Sequence, residues 1–263
     1  DSRKSSPFWA AVREQTEVGV APKPLIDVDA TATAIGLATR ARNESHDASY
    51  TLLHAGDTFG SEWFDALRAV GSDTAEVGSQ LDMVMIGDFG RDQDDEKALA
   101  MAVAMRRLGL IGNLWVIANM GDSVMRARLA KGTVSALGAN DVRVAKGSRG
   151  GESAKQSKFA YEFDCPYLAE ESELDELAGH ELAFAAIEQA RSEDHKLAFV
   201  LCSACTDMAA ILRDERWERT APGVVSHVTA MGGADILADG SIQMSIDGSN
   251  NKFDPAAASF VYS

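Results

Sequence analysis

From Met83 onward the sequence alternates short, unbroken apolar runs with longer helical stretches, and this alternation constrains the fold more than any other feature. The runs Met83–Ile86, Leu114–Ala118, Val142–Ala145, Leu197–Leu201 and Val225–Ala230 read as strands. A half-exposed strand would place a polar residue at every second position; Met83–Ile86, Leu114–Ala118 and Leu197–Leu201, apolar throughout, must be covered on both faces. Between them, Asp95–Leu108, Val124–Leu137, Leu174–Ala190 and Thr206–Arg213 read as helices. Strand–helix alternation of this kind gives a doubly wound, mostly parallel α/β sheet of Rossmann-like type. In the first helix, EKALAMAVAMRRL is apolar on nearly every face, which predicts packing on more than one side, with Met101 and Met105 in the core. Arg106 and Arg107 suit its C-terminus, where the dipole favours cations. The stretch Arg149–Ser172 is polar and irregular and reads as a long insertion.

Residues 1–80 have a different texture, with Ala, Ser, Thr and Asp loosely mixed. They are expected to form an N-terminal extension with brief helices at Phe8–Arg13, Thr31–Ala41 and Glu62–Val70, leaving 81–263 as the folded domain. Residue 1 is Asp rather than Met, so the expectation is a removed leader or a start inside a longer chain. With 40 acidic against 25 basic residues the net charge is −15, which repels a phosphate backbone and excludes nucleic acid as a partner. The most apolar stretch, Ala98–Met105, runs straight into two arginines, so no membrane span is expected and the chain should be soluble. Three cysteines are too few for a disulfide framework, which favours a reducing intracellular compartment.

Chemistry concentrates in MVMIGDFGRDQDDEKALAM, which puts Asp88, Asp92, Asp94 and Asp95 in the turn between the first strand and the first helix. In an open parallel sheet this turn lies at the carboxyl end of a strand, where ligands bind. Helix capping explains one or two of the four acids. Two carboxylates about 4 Å apart repel by roughly 1–4 kcal/mol, depending on the local dielectric. A hard cation or a raised pKa relieves that cost, and oxygen-only donors on a flexible loop suit calcium better than magnesium.

DFGRDQDD resembles the amino-terminal motif D-x-D-P-G-x-D-D of the inosine-uridine preferring nucleoside hydrolases. On this resemblance Asp88 takes the first Asp, and Asp94 and Asp95 the last two. Gly90 stands where the family has a calcium-binding, water-activating Asp, and Asp92 where it has Gly. LCSACTDMAAIL resembles the segment ending T-N-L-A, which implies a metal-binding backbone carbonyl at Thr206. HVTAMGGAD and SNNKFDPAAASF resemble the M-G-G strand and the E-F-N-x-x-x-D-P-E-A-A stretch, implying sugar binding by Asn250 and Asn251. NMGDSVMRARLAKGTVSALG resembles the segment near V-G-N, with Asp122 where the family has a pocket Asn.

What the resemblance implies is hydrolysis of N-ribosyl bonds by a cation-activated water. Asp88, Asp95 and Thr206 would hold the metal, and Asp92 or Asp94 would take the water's proton. The alternative is a non-catalytic relative that became a binding or structural subunit of a larger assembly, suggested by Gly90, by the unexplained extension and by family elements expected beyond Ser263; the expected partners are a nucleoside or related riboside and a homo-oligomer or larger complex. Cys202 and Cys205 form a C-x-x-C without the flanks of a redox pair, and are expected to pack the pocket floor beside Thr206. Asp254–Pro255 reads as a helix start, and His227 inside a strand as a core residue.

Overall fold

The computed structural model describes residues 81–263, apart from 91–92, 108, 152–162 and 239. Asp92 and the extension 1–80, with its three expected helices, therefore lie outside the described residues. The elements are β1 (Leu81–Gly87), α1 (Asp94–Arg107), β2 (Leu114–Ala118), α2 (Ser123–Ala136), β3 (Arg143–Lys146), α3 (Gly179–Ser192), β4 (Lys196–Leu201) and α4 (Thr206–Arg213). Then come α5 (Trp217–Thr220), β5 (Val225–Ala230), β6 (Ala234–Ile236), β7 (Ile242–Met244), α6 (Ser249–Phe253) and α7 (Pro255–Tyr262).

Five strands form a parallel sheet in the order β3-β2-β1-β4-β5. The chain reverses direction of growth between β1 and β4, so the carboxyl ends of these two strands flank the crevice where ligands of doubly wound sheets lie. A separate antiparallel hairpin, β6–β7, pairs Ile236 with Ile242.

Because side chains alternate across a strand, each central strand feeds two cores. Val84, Ile86, Trp115, Ile117, Phe199 and Leu201 pack on one face against Leu182, Ile187 and Met208 of α3 and α4. Met85, Val116 and Val144 pack on the other against Leu99 and Val103 of α1 and Ala127, Ala130 and Val134 of α2. Full burial of each such aliphatic or aromatic side chain contributes roughly 1.5–3 kcal/mol.

Several expectations are corrected. Helix α1 buries one face only, through Leu99, Ala102 and Val103, and Met101 is 42% exposed. Half of the apolar residues of that helix are alanines, favourable to a helix whether or not they are buried. Residues Leu174–Ala178 are not helical, and α3 begins at Gly179. His227 is exposed rather than core, because β5 is the sheet's edge strand and nothing described covers it. The hairpin β6–β7 was not anticipated from the sequence; its strands have only three residues each.

Candidate functional site

The carboxyl ends of the central strands are drawn together by backbone bonds that continue past the sheet. The Asn119 N–H donates to Gly87 O (2.9 Å), Gly147 N–H to Ala118 O (2.7 Å) and Cys202 N–H to Ile86 O (2.8 Å). The loops starting at Asp88, Asn119, Gly147 and Cys202 therefore meet over one end of the sheet.

Asp94, Asp95 and Glu96 form the first turn of α1, as an amino-terminal helix end favours. They do not share a role. Asp94 is exposed, whereas Asp95 is 2% exposed and turns back across the loop to accept the Asp88 backbone N–H at 2.6 Å. Its other oxygen, Oδ1, is buried without a hydrogen-bond partner. Burial first, then the charge of Asp88, pushes the Asp95 carboxyl up to about 9; the Asp88 N–H opposes this, and Asp94 and Glu96 add to it. Burial, and then the charges of Asp95, Asp94 and Asp88, raise the neighbouring Cys202 thiol to about 12. An orphaned buried carboxylate oxygen amid like charges is what a cation would satisfy, so the donor set fits a hard divalent ion.

Two glycines shape this loop. A Cβ on Gly87 would lie 2.7 Å from Asp95 Oδ2 and 2.9 Å from the Phe89 ring, so only glycine lets the carboxylate close on the strand end. Gly90 has φ 108°, a conformation side chains rarely adopt. This position is thus held in a backbone shape that disfavours an Asp.

The loop is braced by Arg126, an interior residue of α2. Its Nη1 donates to the carbonyls of Asp88 (2.5 Å) and Phe89 (2.7 Å), and its Nε to that of Met120 (2.9 Å). Met120 has φ 65° and is fixed by its own N–H to Ser148 O. Asp122, next in this loop, caps α2 by accepting the Met125 N–H at 3.3 Å.

Deeper lies a network that sequence reasoning missed. Asp207, 6% exposed, accepts Asn119 Nδ2 (2.7 Å), Ser148 Oγ (2.7 Å) and the Ser148 N–H (2.8 Å), while Ser203 Oγ donates to Asn119 Oδ1 (2.6 Å). It ties the ends of β2, β3 and β4 into one floor. Its signal was weak, since Asp207 in the first turn of α4 reads as ordinary helix chemistry.

The remaining expected residues come from the C-terminal segment. Thr206 Oγ1 donates to Asp254 Oδ2 (2.8 Å), and Asp254 also caps α7 by accepting the Ala257 N–H (3.0 Å), with Pro255 at the start of that helix as the sequence predicted. Asn250 Nδ2 donates to Cys202 O (2.9 Å) and Met231 O (2.7 Å), which places it beside the β4 end but leaves Oδ1 as its atom able to meet a sugar hydroxyl. Asn251 is 1% exposed and clamps the hairpin through Gly233 O and Ser245 O. Cys202 and Cys205 are buried, as expected for thiols packing the floor, and burial raises the Cys205 thiol to about 11.

At the opposite end of the sheet, Asp82, Glu193 and His195 bring donor atoms within 4.8 Å of one another, a group that could hold a metal ion. No spacing of histidines announced it, because Asp82 comes from a segment far from Glu193 and His195.

Among solved structures, the chain is similar to the type III effector protein XopQ complexed with adenosine diphosphate ribose, at 27% identity and TM-score 0.59 over 74% of this chain and 58% of that one. The effector protein XOO4466 gives 25% identity and TM-score 0.59 over 75% and 57%. XopQ has a nucleoside hydrolase-like fold. So does this chain. The plant nucleoside hydrolase PpNRh1 superposes more loosely, with 16% identity and TM-score 0.49 over 68% of this chain and 56% of that one. The chain spans under three-fifths of the length of the two effectors. No protein-family model and no curated protein matches the sequence. Among the described residues, no helix is long and apolar enough to cross a membrane.

Proposed function

We propose that the carboxyl end of this sheet binds a riboside together with a divalent hard cation, calcium ahead of magnesium, and hydrolyses the N-ribosyl bond. The observation that carries the reading is Asp95: a carboxylate almost wholly buried, beside other acids, with one oxygen unpartnered. Asp88, Asp95 and the Thr206 carbonyl would hold the ion, which when bound supplies neutralising charge and acidifies a water. Asp94, exposed at the start of α1, or Asp92 would accept that water's proton as it attacks the anomeric carbon. Asn250, through Oδ1, together with Asp122 and Asn251 would be the residues that serve the sugar. Arg126 holds the acidic loop by its carbonyls, so the carboxylates need not reorganise as charge develops on the sugar.

The test is incubation of the chain with purine and pyrimidine ribonucleosides in calcium or chelator, following free ribose and base. Calcium-dependent release that Asp95→Asn abolishes supports hydrolysis. No release from any ribonucleoside in calcium sinks it.

A second reading, a non-catalytic riboside binder, is favoured by one observation. Gly90, with φ 108°, replaces the Asp that the nucleoside hydrolase motif uses to activate water. The similarity to XopQ, a structure holding adenosine diphosphate ribose, makes that compound the first ligand to try. Saturable heat on titration with it, without turnover of nucleosides, would establish this reading over the first.

A further inference from the structure

The geometry points to a second metal site, for zinc or a similar transition ion, formed by Asp82, Glu193 and His195 at the amino ends of β1 and β4. It is independent of the acidic loop: Asp82 and Asp88 are separated by six residues of extended β1, or about 20 Å.

His195 Nδ1 is surrounded by three carboxylate oxygens, at 3.1 and 3.2 Å from Asp82 and 3.4 Å from Glu193 Oε2. A single N–H can satisfy one of these well, whereas a cation among them satisfies all. Ligand atoms about 2.1 Å from a tetrahedral zinc lie about 3.4 Å apart, close to the spacing found. One nitrogen with carboxylate oxygens is a donor set for zinc rather than for calcium.

The site has the outer support that metal centres need. The Asn113 side chain donates to Asp82 Oδ2 (3.2 Å) and to Glu193 Oε2 (2.8 Å), holding the two acids toward one another. The Asn113 backbone N–H fixes Asp82 Oδ1 at 2.7 Å, and Gln189 Nε2 fixes Glu193 Oε1 at 2.9 Å. Asp194, with φ 58°, makes the turn that brings Glu193 and His195 to the same side. Asp82 is fully buried and Glu193 exposed, so the cluster opens to solvent at Glu193, the side from which a water would serve as fourth ligand. A metal here would join the amino ends of β1 and β4 to the C-terminus of α3, a structural role.

The experiment is calorimetric titration of the metal-free 263-residue chain with zinc chloride, alongside His195→Asn, Glu193→Gln and Asp95→Asn. The expected result is one saturable site that Asp95→Asn retains and that each of the other two weakens by about tenfold or more. Cobalt titration should give a visible absorption band that disappears in His195→Asn. Glu193 is exposed, so its variant reports on binding even if the histidine variant folds poorly. Absence of saturable zinc binding, zinc binding unchanged in both cluster variants, or a thermal midpoint that responds to pH but not to zinc would assign the cluster to an ordinary ion pair and overturn the proposal.

Discussion

Asp95→Asn should stabilise the chain in chelator and abolish its response to calcium. With its carboxyl raised from an ordinary 3.8 to about 9, folded Asp95 holds a proton that the unfolded chain gives up. A carboxyl shifted in this direction costs nothing below pH 4, costs progressively more as pH rises toward 9, and is flat above it. At pH 7 the gap is about three pH units at about 1.4 kcal/mol each, or roughly 4 kcal/mol. Asparagine keeps an oxygen for the Asp88 N–H, carries no charge, and can turn its amide toward the neighbouring carboxylates. Urea unfolding in chelator should therefore show parent stability falling between pH 5 and pH 8 while the variant's changes less. With free calcium at a hundred times its dissociation constant the parent should gain about 2.7 kcal/mol and the variant nothing. A variant less stable than the parent in chelator at pH 8, or parent stability that does not fall with pH, would refute the reasoning, and equal parent midpoints in calcium and chelator would return the acids to helix capping.

Arg126→Met removes three charge-assisted bonds to the carbonyls of Asp88, Phe89 and Met120, and should cost about 3 kcal/mol or more in urea unfolding while weakening calcium binding. Asp207→Ala strands the donors of Asn119 and Ser148 and should cost about 2–4 kcal/mol, with Asp207→Asn milder; equal unfolding midpoints for all three proteins would argue against a braced floor. Gly87→Ala places a Cβ against Asp95 and Phe89, and should lower stability by about 1–3 kcal/mol and calcium affinity with it, as parallel melting and calcium titrations would register. Cys202, raised to about 12, should react with a thiol reagent at pH 8 far more slowly in the folded chain than after denaturation.

The sequence by itself determined the sheet. Unbroken apolar runs such as Leu114–Ala118 require cover on both faces, and Leu114–Ala118, Val225–Ala230 and Thr206–Arg213 agree with β2, β5 and α4 residue for residue, although β5 lies exposed at the sheet's edge. It also located the acidic turn, because an acidic helix start after a buried strand leaves a local mark, and the motif resemblance pointed to the fold that XopQ shares. Helix ends shifted, and Met101 and His227 moved to the surface, because burial depends on which neighbour covers a face, and a sequence window does not contain that neighbour. Only the tertiary structure separated the acids. Asp95 turns inward to the Asp88 N–H while Asp94 stays in solvent, a distinction made by loop closure around Gly87 and Arg126 rather than by residue type. The Asp207 floor and the meeting of Asp82 with Glu193 and His195 have no local mark, since the partners come from distant segments that meet only when parallel strands align their ends.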